Sequence, residues 1–264
     1  MRTYCRTFSV LIVKASRRDS KYIPLVSGGL SGRKLRIIGG SAANKGVIPF
    51  QVAYLVDNVP TCGGVISPTV VMTAAHCIKS NYEKSSSFVY AGSTQLRRGI
   101  SRKIVRTLVH EEYDDTPGDN DNDIALLFLK PARPFKFDKL IQAAELPSED
   151  EDYQNSTAPV TISGWGTVDA KGTFSYRLKY ATLKLVPRKR CIALGGTIKT
   201  NVICARSKNG SKDACDGDSG GPLFIGKKVI GIISFGWPCG VINAPGAYAD
   251  IARLRKWIRL HANI

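Results

Sequence analysis

Three short stretches of the chain set reactive side chains in unusual company. Thr73-Ala74-Ala75-His76-Cys77 flanks a histidine with small residues and a cysteine. Asp121-Asn122-Asp123-Ile124-Ala125-Leu126-Leu127 places an acid at the start of an apolar run. Gly217-Asp218-Ser219-Gly220-Gly221-Pro222 holds a serine between glycines. Alone, each is modest: a lone histidine is more often structural or merely exposed, and a glycine-rich turn is usually only a turn. Together they supply a hydroxyl that needs activation, an imidazole that can take its proton and a carboxylate that can orient the imidazole. The chain order His, Asp, Ser is one of several that build this geometry. His110 and His261 lack such flanks and are expected to take no catalytic part.

The elements that must position these groups are short strands. Apolar runs separated by Gly, Pro and Asn predict strands at Phe50–Val56, Gly64–Ile66, Val70–Thr73, Phe88–Ala91, Lys103–His110 and Ile124–Leu129. A second set follows at Pro159–Gly164, Lys179–Val186, Val202–Ala205, Pro222–Ile225, Lys228–Phe235 and Gly246–Tyr248. About a dozen such runs imply an all-β sandwich or barrel. The stretch at about 130–158 is polar, acidic and Pro-rich, and reads as a crossover between two barrel-like halves. Near the end, Asp250 can cap a helix on which Ile251, Leu254 and Ile258 share a face, with Trp257 and Leu260 beside it.

Composition narrows the possibilities. The chain has 264 residues and is 43% hydrophobic, enough for a sizeable core. No stretch approaches the roughly 18 apolar residues of a membrane span. Lys and Arg total 38 against 21 acids, a net +17, and residues 1–36 carry nine of the basic side chains and one acid. This excess reads first as a solvated basic surface. Attraction to a polyanion is a weak further expectation. No zinc-finger, RRM or homeodomain pattern appears, so specific nucleic-acid binding is not expected. Seven cysteines lack any C-x-x-C spacing, which favours disulfides in an oxidising compartment over a metal or redox site. The N-terminal apolar run Phe8–Val13 is only six residues, short for an export signal, so secretion is expected from the cysteines. The exposed-looking linker Ser27–Lys34 leads abruptly into Leu35-Arg36-Ile37-Ile38-Gly39-Gly40, a sensible processing point.

These segments resemble a known family. Ile37-Ile38-Gly39-Gly40, the histidine, aspartate and serine contexts above, Ser163-Gly164-Trp165-Gly166 and Ser234-Phe235-Gly236 run in the order of the trypsin-like serine proteases of the chymotrypsin family. The resemblance covers residue 37 to the end. It implies two packed six-stranded antiparallel β-barrels with a C-terminal α-helix, spanning 37–264 behind a signal or propeptide segment at 1–36. It implies that His76 is the general base, Asp123 its orienting acid and Ser219 the nucleophile of an endopeptidase, with the backbone N–H groups of Gly217 and Ser219 as the oxyanion hole.

The resemblance implies further roles. Cleavage after Arg36 would free an amine at Ile37 to pair with Asp218, making the whole chain a zymogen. The disulfides carry over as Cys62–Cys77, Cys191–Cys204 and Cys215–Cys239, leaving Cys5 without a counterpart. Asp213 matches the floor of the primary pocket and would pair with substrate Arg or Lys. Gly236 and Gly246 match its walls, and Ser234 and Phe235 line the cleft. Ala214 stands where a serine is common, which removes a hydrogen bond useful to lysine and predicts a preference for Arg. Asp216, at the pocket mouth, should disfavour acidic substrates. Ser93–Gly99 replaces the family's calcium-loop glutamates with arginines, so no metal is expected, and no cofactor. Protein or peptide substrates, protein inhibitors and a monomeric state complete the expected partners. Asn155-Ser156-Thr157 and Asn209-Gly210-Ser211 are N-glycosylation sequons. Two rival readings remain: a catalytically silent homologue acting by binding, and a narrow cascade protease rather than a digestive one.

Overall fold

The computed structural model describes residues 40–67, 70–78, 86–114, 116, 120–130, 134–167, 173–194, 198–207, 212–236, 239, 241 and 244–264. Segment 1–36, with Cys5, Arg36 and the processing point at Ile37, lies outside the described residues, as does Asn209.

The first barrel is closed by β2 (Gln51–Val56), β3 (Val59–Ile66), β4 (Val70–Thr73), β7 (Ala125–Leu129), β6 (Ile100–Val109) and β5 (Ser87–Ala91), in that order around the ring. Neighbouring strands are antiparallel throughout. The β2–β3 hairpin has only Asp57 and Asn58 between paired Val56 and Val59, and both take positive φ (48° and 62°), the form whose twist suits a two-residue hairpin. Val52, Val65, Met72, Val89, Ile104 and Leu126 fill the interior.

The second barrel runs β8 (Pro159–Gly164), β9 (Lys179–Val186), β10 (Val202–Arg206), β13 (Gly246–Asp250), β12 (Lys228–Phe235) and β11 (Pro222–Ile225), and β11 returns to β8. Its core holds Val160, Ile162, Leu183, Leu223, Ile230 and Tyr248. A two-residue strand β1 (Ser41–Ala42) joins the edge of β9, opposite Tyr180 and Lys179. All twelve expected strands form. The additions are β1 and a short helix α1 (Arg188–Ala193), which is held by the Cys191–Cys204 bridge rather than by an apolar stripe.

Residues 134–158 cross between the barrels without strand structure and bond to each in turn. Gln142 and Ala144 donate to Pro49 and Ile66 of the first half, and Glu145 exchanges backbone bonds with Lys227 and Val229 of the second. The Phe50 and Phe224 rings meet edge to face at 5.2 Å. The terminal helix α2 (Ile251–Ala262) starts where the Asp250 carboxylate accepts from Ala252 and Arg253 N–H, and ends at Asn263 in the left-handed region. Ile251, Leu254, Trp257 and Ile258 are buried, but Leu260 is 76% exposed, contrary to expectation. Nine residues after Ile251, at about 100° per residue, it points the opposite way. Among the described residues no helix is long and apolar enough to cross a membrane.

Candidate active site

His76 stands on a 3-10 turn, Ala75–Cys77, immediately after β4. Ala74 and Ala75 are buried, so only small side chains fit beside it. The Cys62–Cys77 disulfide ties this turn to β3. Asp123 lies just before β7, after Asn122 in the left-handed region at φ 55°, and is 1% exposed. Its Oδ1 accepts the His76 backbone N–H at 2.9 Å and its Oδ2 lies 2.7 Å from His76 Nδ1. The Ser234 hydroxyl donates to the same Oδ2. A carboxylate so placed holds the proton on Nδ1 and leaves Nε2 as an acceptor. Ser234, expected only as a cleft-lining residue, therefore also orients the acid.

Ser219 sits in a tight turn between β10 and β11. Gly217 and Gly220 on either side have φ of +86° and +77°, conformations that side-chain-bearing residues avoid. A Cβ on Gly220 would come within 2.1 Å of Thr73 Oγ1. Two bonds fix the turn from opposite directions: Gly63 N–H of β3 donates to Ser219 O at 2.8 Å, and Gly220 N–H donates to Ile233 O at 2.8 Å. The first crosses between barrels, so the turn bearing Ser219 is registered on the half that carries His76. No acceptor among the described residues takes the N–H of Gly217 or of Ser219.

Asp218 points the other way, into the protein, and is fully buried. It accepts Gly166 N–H at 2.7 Å and Cys215 N–H at 3.0 Å. Burial pushes its carboxyl up to about 7, against the pull of these two N–H groups and with a further push from Asp213 and Asp216. No cation meets it among the described residues.

Beside Ser219 lies a pocket of about 260 Å³. The expected residues Asp213, Ala214, Asp216, Ser234, Phe235, Gly236 and Gly246 all line it, and the Cys215–Cys239 disulfide joins two of its walls. Gly236 and Gly246 face one another closely, since a Cβ on the first would lie 3.4 Å from the second's Cα. Sequence reasoning missed Tyr248. It lines the same pocket with a buried hydroxyl that has no hydrogen-bond partner among the described residues, and burial beside Asp213 and Asp218 pushes its phenol well up, so it stays neutral. Phe174, also missed, lays its ring against Gly217.

The His110 and His261 rings pack against Trp257, with centroids at 4.8 and 5.0 Å from its own. Cys62, His76 and Cys77 cluster closely enough to suggest a metal site, but the two sulfurs are bonded to each other and offer no thiolate. Ser93–Gly99 contains no carboxylate, and its Arg97 guanidinium donates instead to Asn58 O at 2.9 Å.

Comparison with known proteins agrees with this geometry. The profile of the family described as Trypsin matches residues 37–258. Trypsin alpha-4 of Lucilia cuprina is 34% identical over 84% of this chain and 86% of its own length. A trypsin of Phaedon cochleariae is 36% identical over 87% of this chain and 90% of its own. Among solved structures, neuropsin, a serine protease expressed in the limbic system of mouse brain, superposes with a TM-score of 0.75 at 30% identity, over 84% of this chain and 97% of its own.

Proposed function

The chain belongs to the trypsin family and is a serine endopeptidase, and from that premise we propose that it is a secreted zymogen, activated by cleavage after Arg36, that cuts after Arg in preference to Lys. The observation that carries this reading is a pocket lined by Asp213, Ser219 and Ser234, the last of which donates to the same Asp123 oxygen that meets His76 Nδ1.

The proposed reaction follows from that arrangement. His76 Nε2 takes the Ser219 hydroxyl proton as Oγ bonds to the scissile carbonyl carbon. Negative charge moves onto the carbonyl oxygen, where the Gly217 and Ser219 N–H groups receive it. One such donor contributes about 3–4 kcal/mol in comparable sites. His76 then passes its proton to the leaving amine, and the acyl group stays on Ser219. Water, deprotonated by His76, releases it. Asp123 keeps the imidazole in the working tautomer throughout and favours the imidazolium as it forms.

Arg preference follows from Asp213 paired with Ala214. A guanidinium can engage a carboxylate with two N–H groups, whereas an ammonium here loses a hydroxyl acceptor. Activation follows from Asp218. A carboxylate buried without a cation is costly, and a new amine at Ile37 would supply the missing charge. Protein substrates with Arg or Lys at the cut, protein inhibitors and weak polyanion binding are the partners proposed.

The test is hydrolysis of matched Arg, Lys and Phe chromogenic substrates before and after a trace of trypsin that is then selectively inhibited, with Ser219→Ala beside it. The expected result is activity only after cleavage, with Ile37 as the new N-terminus, strongest on Arg and absent from the variant. A folded, correctly cleaved chain that hydrolyses none of them would favour a silent binding homologue or a protease of stringent extended specificity.

A further inference from the structure

Proteolysis does not account for the sequence Asn155-Ser156-Thr157. The structure places it in a turn of the inter-barrel crossover, closed by Ser156 N–H donating to Tyr153 O at 3.2 Å. Side chains alternate sharply there. Gln154 turns inward, with its amide bonded to Val202 O at 3.1 Å and to Asp250 Oδ2 at 2.9 Å. Its backbone carbonyl accepts the Arg188 backbone N–H at 2.7 Å. Asn155 and Thr157 both turn outward into solvent, while Ser156 Oγ is occupied by Ala158 N–H. The acceptor amide and the hydroxyl two residues on are thus both accessible, on a turn that Gln154 holds down from below. An added group there displaces nothing packed.

We propose that Asn155 carries an N-linked glycan. This rests on the proposed secretion of the chain. The donor is a polyprenyl-diphosphate-linked oligosaccharide, used by the membrane-bound transferase of the secretory pathway. The Asn155 side-chain nitrogen bonds to C1 of the first sugar as the C1–oxygen bond to the diphosphate breaks. The amide gives up one of its two protons, and the polyprenyl diphosphate leaves. None of Tyr153 to Thr157 lines the pocket beside Ser219, so the glycan leaves hydrolysis of small substrates unchanged.

The full 264-residue chain, expressed in insect cells behind a cleavable export leader and again with its own N-terminus alone, provides the test. The leader-bearing chain should leave the cell with the mass of one oligosaccharide core at Asn155. Amidase digestion in heavy-oxygen water should convert that residue to labelled aspartate. Asn155→Gln and Thr157→Ala should lose the mass, whereas Thr157→Ser and Asn209→Gln keep it. An unmodified Asn155 in exported, disulfide-bonded chain would overturn the proposal. If the leader-bearing chain misfolds while the chain without the leader folds in the cytosol with its cysteines reduced, the secretion reading fails instead.

A separate observation concerns the turn before Ser219. A Cβ built on Gly217 would lie 2.4 Å from Phe174 Cε1 and 3.1 Å from its Cδ1, so the ring edge covers that face of the glycine. Phe174 is held in turn: it pairs with Thr167, whose N–H donates to Asp216 O at 2.8 Å, and Ser175 N–H reaches Trp165 O at 3.0 Å. The ring therefore backs one face of Gly217, while the carboxylate of the next residue, Asp218, is pinned by Gly166 and Cys215 N–H. We infer that Phe174 is a positioning residue for the oxyanion turn, stopping a peptide with no side chain of its own from rotating its N–H away. This rests on the proposed role of that N–H.

In the activated enzyme, Phe174→Ala should lower kcat about tenfold with KM little changed, a fraction of what loss of a whole donor costs. Affinity for an arginine aldehyde, which forms a tetrahedral adduct on Ser219, should fall by a similar factor. Affinity for benzamidine, which fills only the pocket, should hold, and Phe174→Tyr should restore both losses. Equal loss of aldehyde and benzamidine affinity, or an unchanged kcat, would overturn the inference. Activity persisting in Ser219→Ala would instead overturn the site assignment on which it rests.

Discussion

Two buried aspartates, one serving each side of the cleft, differ in what meets them. Asp123 receives three donors: the His76 backbone N–H, His76 Nδ1 and the Ser234 hydroxyl. Asp218 receives two backbone N–H groups and no cation among the described residues. Burial is the same, yet among the described residues the first carboxylate meets an imidazole and the second meets no cation. On the proposed reading, the proton-handling side is thus built on folding alone, while the side that would bind the oxyanion would be completed by the amine that cleavage frees. That difference is what a zymogen needs, since withholding one amine then disables the nucleophile's turn and leaves the imidazole in place.

The comparison can be broken at several points. Ser219→Ala should cost about a million-fold in kcat, the scale known for loss of a serine protease nucleophile. Asp123→Asn should cost about ten-thousandfold with the fold intact, because an amide in that place favours the wrong imidazole tautomer. A much smaller loss from Asp123→Asn would mean that Asp123 does not set the tautomer.

Asp218 tests the other side through stability. Below about pH 4 its carboxyl is protonated folded and unfolded, and it contributes no pH dependence. Between about 4 and about 7 the unfolded chain ionises first, because burial has pushed the folded group up to about 7. The uncleaved chain should therefore lose stability across that window, by about 4 kcal/mol from this group if the full shift applies. Asp218→Asn should flatten the loss in the uncleaved chain, and so should cleavage that supplies an amine. Denaturant midpoints at pH 4, 5.5 and 7 decide it. An unchanged slope in the variant would mean that Asp218 already has a partner in the uncleaved chain.

Two smaller effects sharpen the contrast. Ser234→Ala removes one of the three donors on Asp123 and should lower kcat about tenfold and cost about 1–2 kcal/mol of stability. Gln154→Ala leaves both aspartate sites untouched but strips a buried bond from Asp250 and should cost about 1–2 kcal/mol in a urea melt with activity unaltered. An activity loss from Gln154→Ala would show that the crossover couples to the cleft.

Local sequence made the strands and the three reactive contexts legible because both are written in consecutive residues. Strands such as Lys179–Val186 alternate buried and exposed along their length. The glycines around Ser219 announce a turn that only glycine can make. What stayed hidden depends on pairs far apart in the chain. Phe174 meets Gly217, Tyr248 closes a pocket that Asp213 opens, and Ser234 reaches Asp123, none of which a neighbouring residue announces. Helix α1 has no apolar periodicity and rests on a disulfide, and β1 is two exposed residues that borrow their order from β9.

The bond from Gly63 to Ser219 carries a last consequence. It is drawn between main-chain atoms, so replacing a side chain at Ser219 leaves it in place. Its weak point is steric: a methyl group on Gly63 would sit 2.9 Å from the Gly221 Cα, where two backbones already touch. An alanine scan would therefore report this seam as tolerant at the serine and fragile at two glycines with no chemistry of their own. Part of the alignment of the two barrels is thus encoded by an absence of side chains at Gly63 and Gly221, so a designer could repaint outward-facing positions while leaving those few atoms of empty space alone.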